Sequence, residues 1–121
     1  MSAGPLKSET NRSTLIAGSF APAGAGSPTD LRGVGFTVSR VSQGLFRVTT
    51  TRKARTLVSG VVGIQLDAAT SRIPSLVDVS PTTGVYDIHV VDAADTAQDV
   101  AAHASNRINF MLLVSDDEDA S

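Results

Sequence analysis

Two short blocks of alternating residues, joined by a tight-turn dipeptide, most constrain what this chain can form. Residues 36–42 (FTVSRVS) and 45–51 (LFRVTTT) each alternate β-branched or aromatic side chains with polar ones, and Gln43 and Gly44 separate them. Alternation at period 2 gives a strand one buried and one exposed face. A two-residue connection that contains glycine is typical of a hairpin. The sequence therefore predicts an antiparallel hairpin over these residues.

Four further segments have strand composition: residues 57–66, 73–80, 85–91 and 108–114. The first is nearly all apolar with Gly60 and Gly63 inside it, which indicates a strand buried on both faces or kinked by a bulge. Because Pro74 cannot donate to a ladder, we expect pairing of the second to begin at Leu76. Six strands separated by glycine and proline turns predict an all-β domain over residues 33–115, of the β-sandwich or jelly-roll-like type.

Residues 1–32 differ from the rest, being rich in Ser, Gly, Ala, Pro and Thr. Such a composition predicts an extended N-terminal arm rather than helix or packed strand. Leu15, Ile16 and Phe20 are apolar residues that a merely solvating tail does not need, so we expect them to dock on another surface. A flexible terminus with incidental apolar residues is the alternative.

The charges are segregated along the chain, although ten basic and twelve acidic residues leave a net charge of only −2. Residues 31–66 hold six basic residues and no acid, whereas residues 67–121 hold ten acids and two arginines. Residues 116–121 form an acidic C-terminal tail. Opposite charges of this kind either pair across strands of one molecule or join separate copies. The internal pairing is favoured, since it is ordinary in antiparallel sheets.

Little in the sequence points to catalysis. Cysteine is absent, and His89 and His103 are the only imidazoles. His89 is expected to point outward beside Asp87, and His103 follows Asp99 by four residues, so they share a face only if residues 92–105 form a helix rather than a loop. Two ligands do not make a metal site. We expect no enzymatic activity, cofactor or metal, and without an apolar run of about 18 residues no membrane partner.

The most charged short segment is residues 52–55, which contains Arg52, Lys53 and Arg55. It is either a solvated connection between strands or a contact for a negatively charged partner, such as an acidic protein surface or phosphate groups. Nucleic acid is disfavoured as a partner, because neither interleaved aromatic residues nor a basic helix accompanies the segment.

Several blocks together look familiar: GFTVSR at residues 35–40, GLFRVT at 44–49, the apolar run 57–66, VDV at 77–79 and NRINF at 106–110. Over roughly residues 33–115 they resemble small virion structural proteins of tailed bacteriophages, in which the β domain is often a capsid decoration (cement) protein. Similar modules occur in tail fibres.

The resemblance implies a non-enzymatic protein that is made in the host cytoplasm and binds the outer surface of the shell of major capsid protein. It also implies a homotrimer at the local three-fold axes. A tail- or fibre-associated module that binds a host receptor is the alternative. Family patterns assign no contact residues, so these are inferred from the sequence itself: Leu15, Ile16, Phe20, Arg52, Lys53 and Arg55.

Overall fold

The computed structural model describes residues 13–116, and their regular structure is entirely β. Eight strands follow one another: β1 (Ser13–Ala23), β2 (Gly26–Gly33), β3 (Phe36–Ser42), β4 (Leu45–Thr50), β5 (Thr56–Gln65), β6 (Ile73–Ser80), β7 (Val85–Val91) and β8 (Arg107–Ser115). Within this range there is no helix, and so none that could cross a membrane.

The strands form two antiparallel sheets of four. The first sheet has the order β2-β1-β8-β5 and the second has the order β3-β4-β7-β6. Their inner faces meet, as in a sandwich, because strands such as β4 and β8 alternate buried with exposed residues and turn the buried ones toward the opposite sheet. The predicted all-β sandwich is therefore confirmed.

Aromatic side chains join the two layers. Phe20 of the first sheet lies 5.2 Å from Phe46 of the second, measured between ring centroids, and both are fully buried. Phe36 meets Phe110 edge-on at 5.0 Å. Contacts of this geometry add to the free energy of burying the rings. A core of few aromatics among Val, Ile and Leu thus holds the sheets together.

The predicted hairpin is confirmed as β3 and β4, which pair from Phe36 with Thr50 to Ser42 with Leu45. Its turn depends on Gly44, whose φ is +69°. A Cβ there would lie 2.6 Å from the carbonyl oxygen of Val90. Only glycine can adopt the left-handed backbone conformation and also leave room for the backbone of β7, which lies close to this turn.

The prediction of an N-terminal arm is wrong for residues 13–32, because they form β1 and most of β2. β1 pairs continuously with β8, from Ser13 opposite Ser115 to Phe20 opposite Ile108. The sandwich therefore includes this segment, and its low β propensity is overridden by long-range pairing and burial. Residues 1–12 of the predicted arm and residues 117–121 of the predicted tail lie outside the described residues.

The glycines that suggested an arm have specific places in the sheet. The ring of Phe36 packs over Gly18, where a Cβ would clash with the ring edge. Gly24, with a φ of +59°, lies in the turn between β1 and β2. These glycines therefore permit close packing and chain reversal rather than an unstructured segment.

Two expectations about the later strands change. β6 pairs with β7 from its first residue, Ile73 opposite Val91, so the expected delay to Leu76 is wrong. Pro74 is tolerated because β6 is an edge strand. β5 does contain the expected bulge, between Leu57 and Ser59, but it is an edge strand with many exposed residues rather than one buried on both faces.

Candidate interaction surface

The outer face of the first sheet carries a contiguous set of exposed or partly exposed apolar side chains. Paired residues of neighbouring antiparallel strands lie on the same face, and the register places Val61, Met111 and Ala17 in one row. Leu113 and Leu15 pair in the next row. Val61, Met111 and Leu15 are 61%, 51% and 57% exposed. We call these five residues the apolar face; such clusters mark contact surfaces more often than scattered exposed residues do.

An open cleft of about 430 Å³ adjoins Leu15 at one end of this face. Ala17 of β1, the turn 33–35, Thr51 and Arg52 also line it. The turn presents Val34, which is 87% exposed. Gly33 has a φ of +115°, and a Cβ there would lie 2.6 Å from the carbonyl oxygen of Ala17. Glycine thus lets the turn press against β1 and hold Val34 at the rim.

The basic segment 52–55 runs along the same end of the first sheet. Its backbone is fixed at two points: the N–H of Ala54 donates to the Pro81 carbonyl and the N–H of Arg55 donates to the Ser115 carbonyl, both at 3.0 Å. The Arg52 guanidinium pairs with the Asp116 carboxylate at 2.6 Å, and both side chains are nearly half exposed. The segment is therefore an ordered connection with its charged side chains at the surface.

The predicted contact residues separate into three groups. Leu15 and Arg52 lie at the same cleft, although 37 positions separate them in sequence. Lys53 and Arg55 are exposed on the adjoining segment and do not line the cleft. Phe20 is fully buried and Ile16 is only 7% exposed. The prediction that these last two side chains dock on another surface is wrong, because they pack inside their own sandwich.

Sequence reasoning missed Val34, Val61 and Met111. Met111 alternates with Phe110 and Leu112, which are both buried, so the period-2 rule applied to β8 would have placed it outside. The exposure of Val61 could not be predicted, because its strand is apolar on both faces and the sequence does not show which face is buried. Val34 stands between two glycines, a pattern that indicates a turn without indicating where its tip points.

Ion pairs within the molecule account for much of the charge segregation. Arg40 donates two hydrogen bonds to Asp99, at 2.9 and 2.8 Å, and Arg47 donates two to Asp87, at 3.0 and 3.1 Å. The bonds to Asp99 raise the pKa of Arg40, and they lower the pKa of Asp99. The favoured internal interpretation is confirmed for these pairs.

The two histidines have separate surroundings. His89 lies on β7 between Leu45 and Ser75 of the flanking strands and lines a second open cleft, of about 480 Å³. The expectation that its neighbour Asp87 is exposed is wrong, since Asp87 is 2% exposed beneath Arg47.

His103 does not share a helix face with Asp99, because residues 92–105 form a loop. Its Nδ1 accepts a hydrogen bond from the N–H of Ser105, and its Nε2 lies 3.7 Å from the carboxylate of Asp67. Among residues 13–116, no three His, Asp or Glu side chains come together as a metal site would require.

The described residues thus define an all-β sandwich with an apolar face, an adjoining cleft and an ordered basic segment. No protein-family model, no curated protein and no solved structure matches the chain. The surface geometry and the sequence resemblance are the grounds for a function.

Proposed function

We propose that this chain is a non-enzymatic structural protein of a tailed-bacteriophage virion, of the capsid decoration type, which binds the outer surface of the shell of major capsid protein. The observation that carries the proposal is the meeting of Leu15 and Arg52 at one cleft, beside the apolar face. A rigid sandwich with one contiguous apolar surface and cations at its border has the features of a docking module. The sequence resemblance supplies the class of partner.

The proposed mechanism is the sum of many small contacts. Burying the apolar face contributes about 25 cal/mol per Å² removed from water, and the face is only three strands wide. A single copy is therefore expected to bind weakly. In the proposed homotrimer at a local three-fold axis, three such contacts act together, and their combined affinity exceeds that of each alone.

The basic segment contributes a second, salt-sensitive part of the interaction. Arg52, Lys53 and Arg55 are exposed, so their attraction to an acidic capsid surface would be screened by ions. Arg52 already pairs with Asp116, which means that a partner carboxylate would compete with this bond. The charged residues then contribute more to orientation and rate of binding than to affinity.

A tail- or fibre-associated module that binds a host receptor is the second candidate, and the loop 92–106 favours it. Asp92 Oδ1 accepts hydrogen bonds from the N–H groups of Ala94 and Thr96, and the side chain of Asn106 donates to the carbonyl of Ala101. Loops held in one conformation on a rigid scaffold are common binding elements.

Co-sedimentation with phage shells that lack the protein tests the proposal. We expect the wild type to bind shells and Leu15→Asp to lose affinity by about tenfold or more. Val41→Asp is the matched control, because Val41 is 46% exposed on the second sheet. Binding to tails but not to shells would favour the receptor-binding candidate. Equal shell binding by the two variants would contradict the proposed surface.

Salt dependence tests the basic segment separately. Replacing Arg52, Lys53 and Arg55 together with Ser should weaken shell binding at low ionic strength and leave it little changed at high ionic strength, since exposed charge pairs are screened there. An unaltered salt dependence would assign the segment to a solvated connection between strands.

A further inference from the structure

In the sandwich formed by residues 13–116, four strands lie at sheet edges: β2 and β5 of the first sheet, and β3 and β6 of the second. An edge strand presents unpaired N–H and C=O groups to any chain that approaches, and proteins block such edges with charges, prolines and bulges. Three of the four edge strands contain charged residues or prolines of this kind. They are Pro28, Asp30 and Arg32 in β2, Arg40 in β3, and Pro74 and Asp78 in β6.

β5 is the exception. Its ten residues, TLVSGVVGIQ, include no charged residue and no proline. Its bulge lies near one end, between Leu57 and Ser59, and residues 59–65 then pair with β8 in unbroken register. Within residues 13–116, β8 is the only strand paired with β5. Val58 and Val61 are 50% and 61% exposed. This edge is therefore open, regular and apolar.

We propose that β5 pairs antiparallel with β5 of a second copy of this chain, which joins the first sheets of two molecules into one continuous sheet of eight strands. Such a contact is two-fold symmetric, since the same strand is used by both copies. It belongs to the mode in which an exposed sheet edge accepts an added strand. The inference does not depend on the proposed function, and it is separate from the three-fold association that the resemblance implies.

The strand can pair with itself without placing charges or prolines opposite each other. In an antiparallel pair centred on Val62, Val61 of one copy lies opposite Gly63 of the other, and Gly60 lies opposite Ile64. The inward and outward faces of the two copies coincide in this register. Leu76 and Asn109 of the same molecule fill the space beside Gly60 and Gly63, so the two copies match in polarity rather than in side-chain volume. No like charges meet along this stretch. Pairing of β5 with any other edge would bring it against the prolines or charges named above.

The apolar faces also become continuous in this arrangement. Val61 belongs both to β5 and to the apolar face, so that in the pair the faces of the two copies lie side by side on the same surface of the joined sheet. Edge pairing by itself buries a small area, and interfaces below about 1,200 Å² are typically weak. We therefore expect dimerisation that depends on concentration rather than an obligate dimer.

Sedimentation equilibrium of the full chain over a wide concentration range tests the inference. The wild type should show a monomer–dimer equilibrium, and Val61→Lys should raise its dissociation constant by about tenfold or more, because lysine on an edge strand disfavours pairing. Met111→Lys is the matched control: Met111 pairs with Val61 on the same face but lies on the central strand β8 and is 51% exposed. It should dimerise like the wild type.

Loss of dimerisation in both variants would mean that the outer faces pack together, and would overturn edge pairing. A wild type that stays monomeric throughout, or whose association Val61→Lys leaves unchanged, would overturn it as well. Hydrogen exchange gives a measurement without substitutions: the amides of residues 59–65 that point away from β8 should become more protected as wild-type concentration rises. Circular dichroism of each variant verifies that it is folded.

Discussion

Arg47 and Asp87 lie directly opposite each other on β4 and β7, and the guanidinium covers the carboxylate. Nε donates to Oδ1 at 3.0 Å and Nη2 donates to Oδ2 at 3.1 Å. Asp87 is 2% exposed, whereas the Arg47 side chain is 45% exposed. The bonds to Asp87 raise the pKa of Arg47. The arginine thus compensates a buried negative charge on the strand that carries core residues Tyr86 and Ile88 on its other face.

Arg47→Ala should therefore lower the free energy of unfolding several-fold more than Arg52→Ala does. The first substitution leaves a buried carboxylate without its partner, which is among the more costly changes in a protein. The second removes one partner of Asp116, whose side chain is 43% exposed and can be hydrated. Urea denaturation of both variants measures the difference.

The double substitution Arg47→Val with Asp87→Val is the control for this pair. It removes both charges and leaves two β-branched residues opposite each other, so it should recover most of the stability that Arg47→Ala loses. Equal losses for Arg47→Ala and Arg52→Ala would show that Asp87 is hydrated and that its burial has no energetic consequence.

Phe20→Ala tests whether the N-terminal segment belongs to the core. Because the ring is fully buried against Phe46, its removal should cost about 3–5 kcal/mol of unfolding free energy. Leu15→Ala on the outer face of the same strand, where the side chain is 57% exposed, should change stability by about 0.5 kcal/mol or less. Thermal and urea unfolding measure both. Similar small effects would restore the interpretation of this segment as an arm.

The strands from β3 onward could be predicted from the sequence because they are rich in β-branched residues, and because the turns of two hairpins contain Gly44 and the run from Pro81 to Gly84. β1 and β2 could not, since the segment from Ser13 to Gly33 is rich in glycine, alanine and serine and has little β propensity of its own. β1 is a strand because β8 pairs along its length and because Phe20 and Ile16 fill the core. Neither cause is visible in a local window.

The candidate surface also depends on long-range pairing that a short stretch of sequence does not reveal. Leu15 and Arg52 were each recognisable as unusual residues, but their meeting depends on pairing among distant strands. Ser115 of β8 lies opposite Ser13 on one side and Thr56 on the other, which brings residues 13–15 and 52–56 to the same end of the sheet. Register of this kind is set by burial over the whole sandwich rather than by spacing in the sequence.

Two glycines with similar backbone angles offer a matched test of the hairpin turn. Gly24 and Gly44 have φ values of +59° and +69°. A Cβ at Gly24 would meet no atom within 4 Å, whereas at Gly44 it would lie 2.6 Å from the Val90 carbonyl oxygen and 2.8 Å from the Gln98 nitrogen. Gly24→Ala should cost roughly 1 kcal/mol for the left-handed backbone alone.

Gly44→Ala adds a clash with backbone atoms to that conformational cost, so it should lose more than about 2 kcal/mol. It should also disturb the N–H of Gly44, which donates to Asp99 Oδ1 at 2.9 Å. Chemical denaturation of the two variants measures the difference between their unfolding free energies. Equal losses would indicate that the loop beside Gly44 moves aside without cost.

Acid should weaken the connection between the hairpin and the loop 92–106. Hydrogen bonds from Arg40, with a smaller contribution from the backbone of Gly44, hold the pKa of Asp99 below 3.8 in the folded chain. A carboxyl whose pKa is lowered by folding stabilises the protein above its unfolded pKa, and this contribution disappears as the pH falls through the folded pKa. Stability should thus be constant from neutrality to about pH 5 and decline below about pH 4.

The variant Asp99→Asn isolates this carboxyl from the other acids. It should be less stable than the wild type at about pH 6, and the difference should shrink at about pH 3, because the carboxyl of the unfolded wild type is largely protonated there. Asp95→Asn is the matched control for loss of one negative charge, because Asp95 is exposed at a φ of +63° that asparagine also adopts. Urea denaturation of the wild type and of each variant at the two pH values gives the unfolding free energies to be compared. A difference between wild type and Asp99→Asn that is the same at both pH values would show that the Arg40 bonds do not depend on the charge of Asp99.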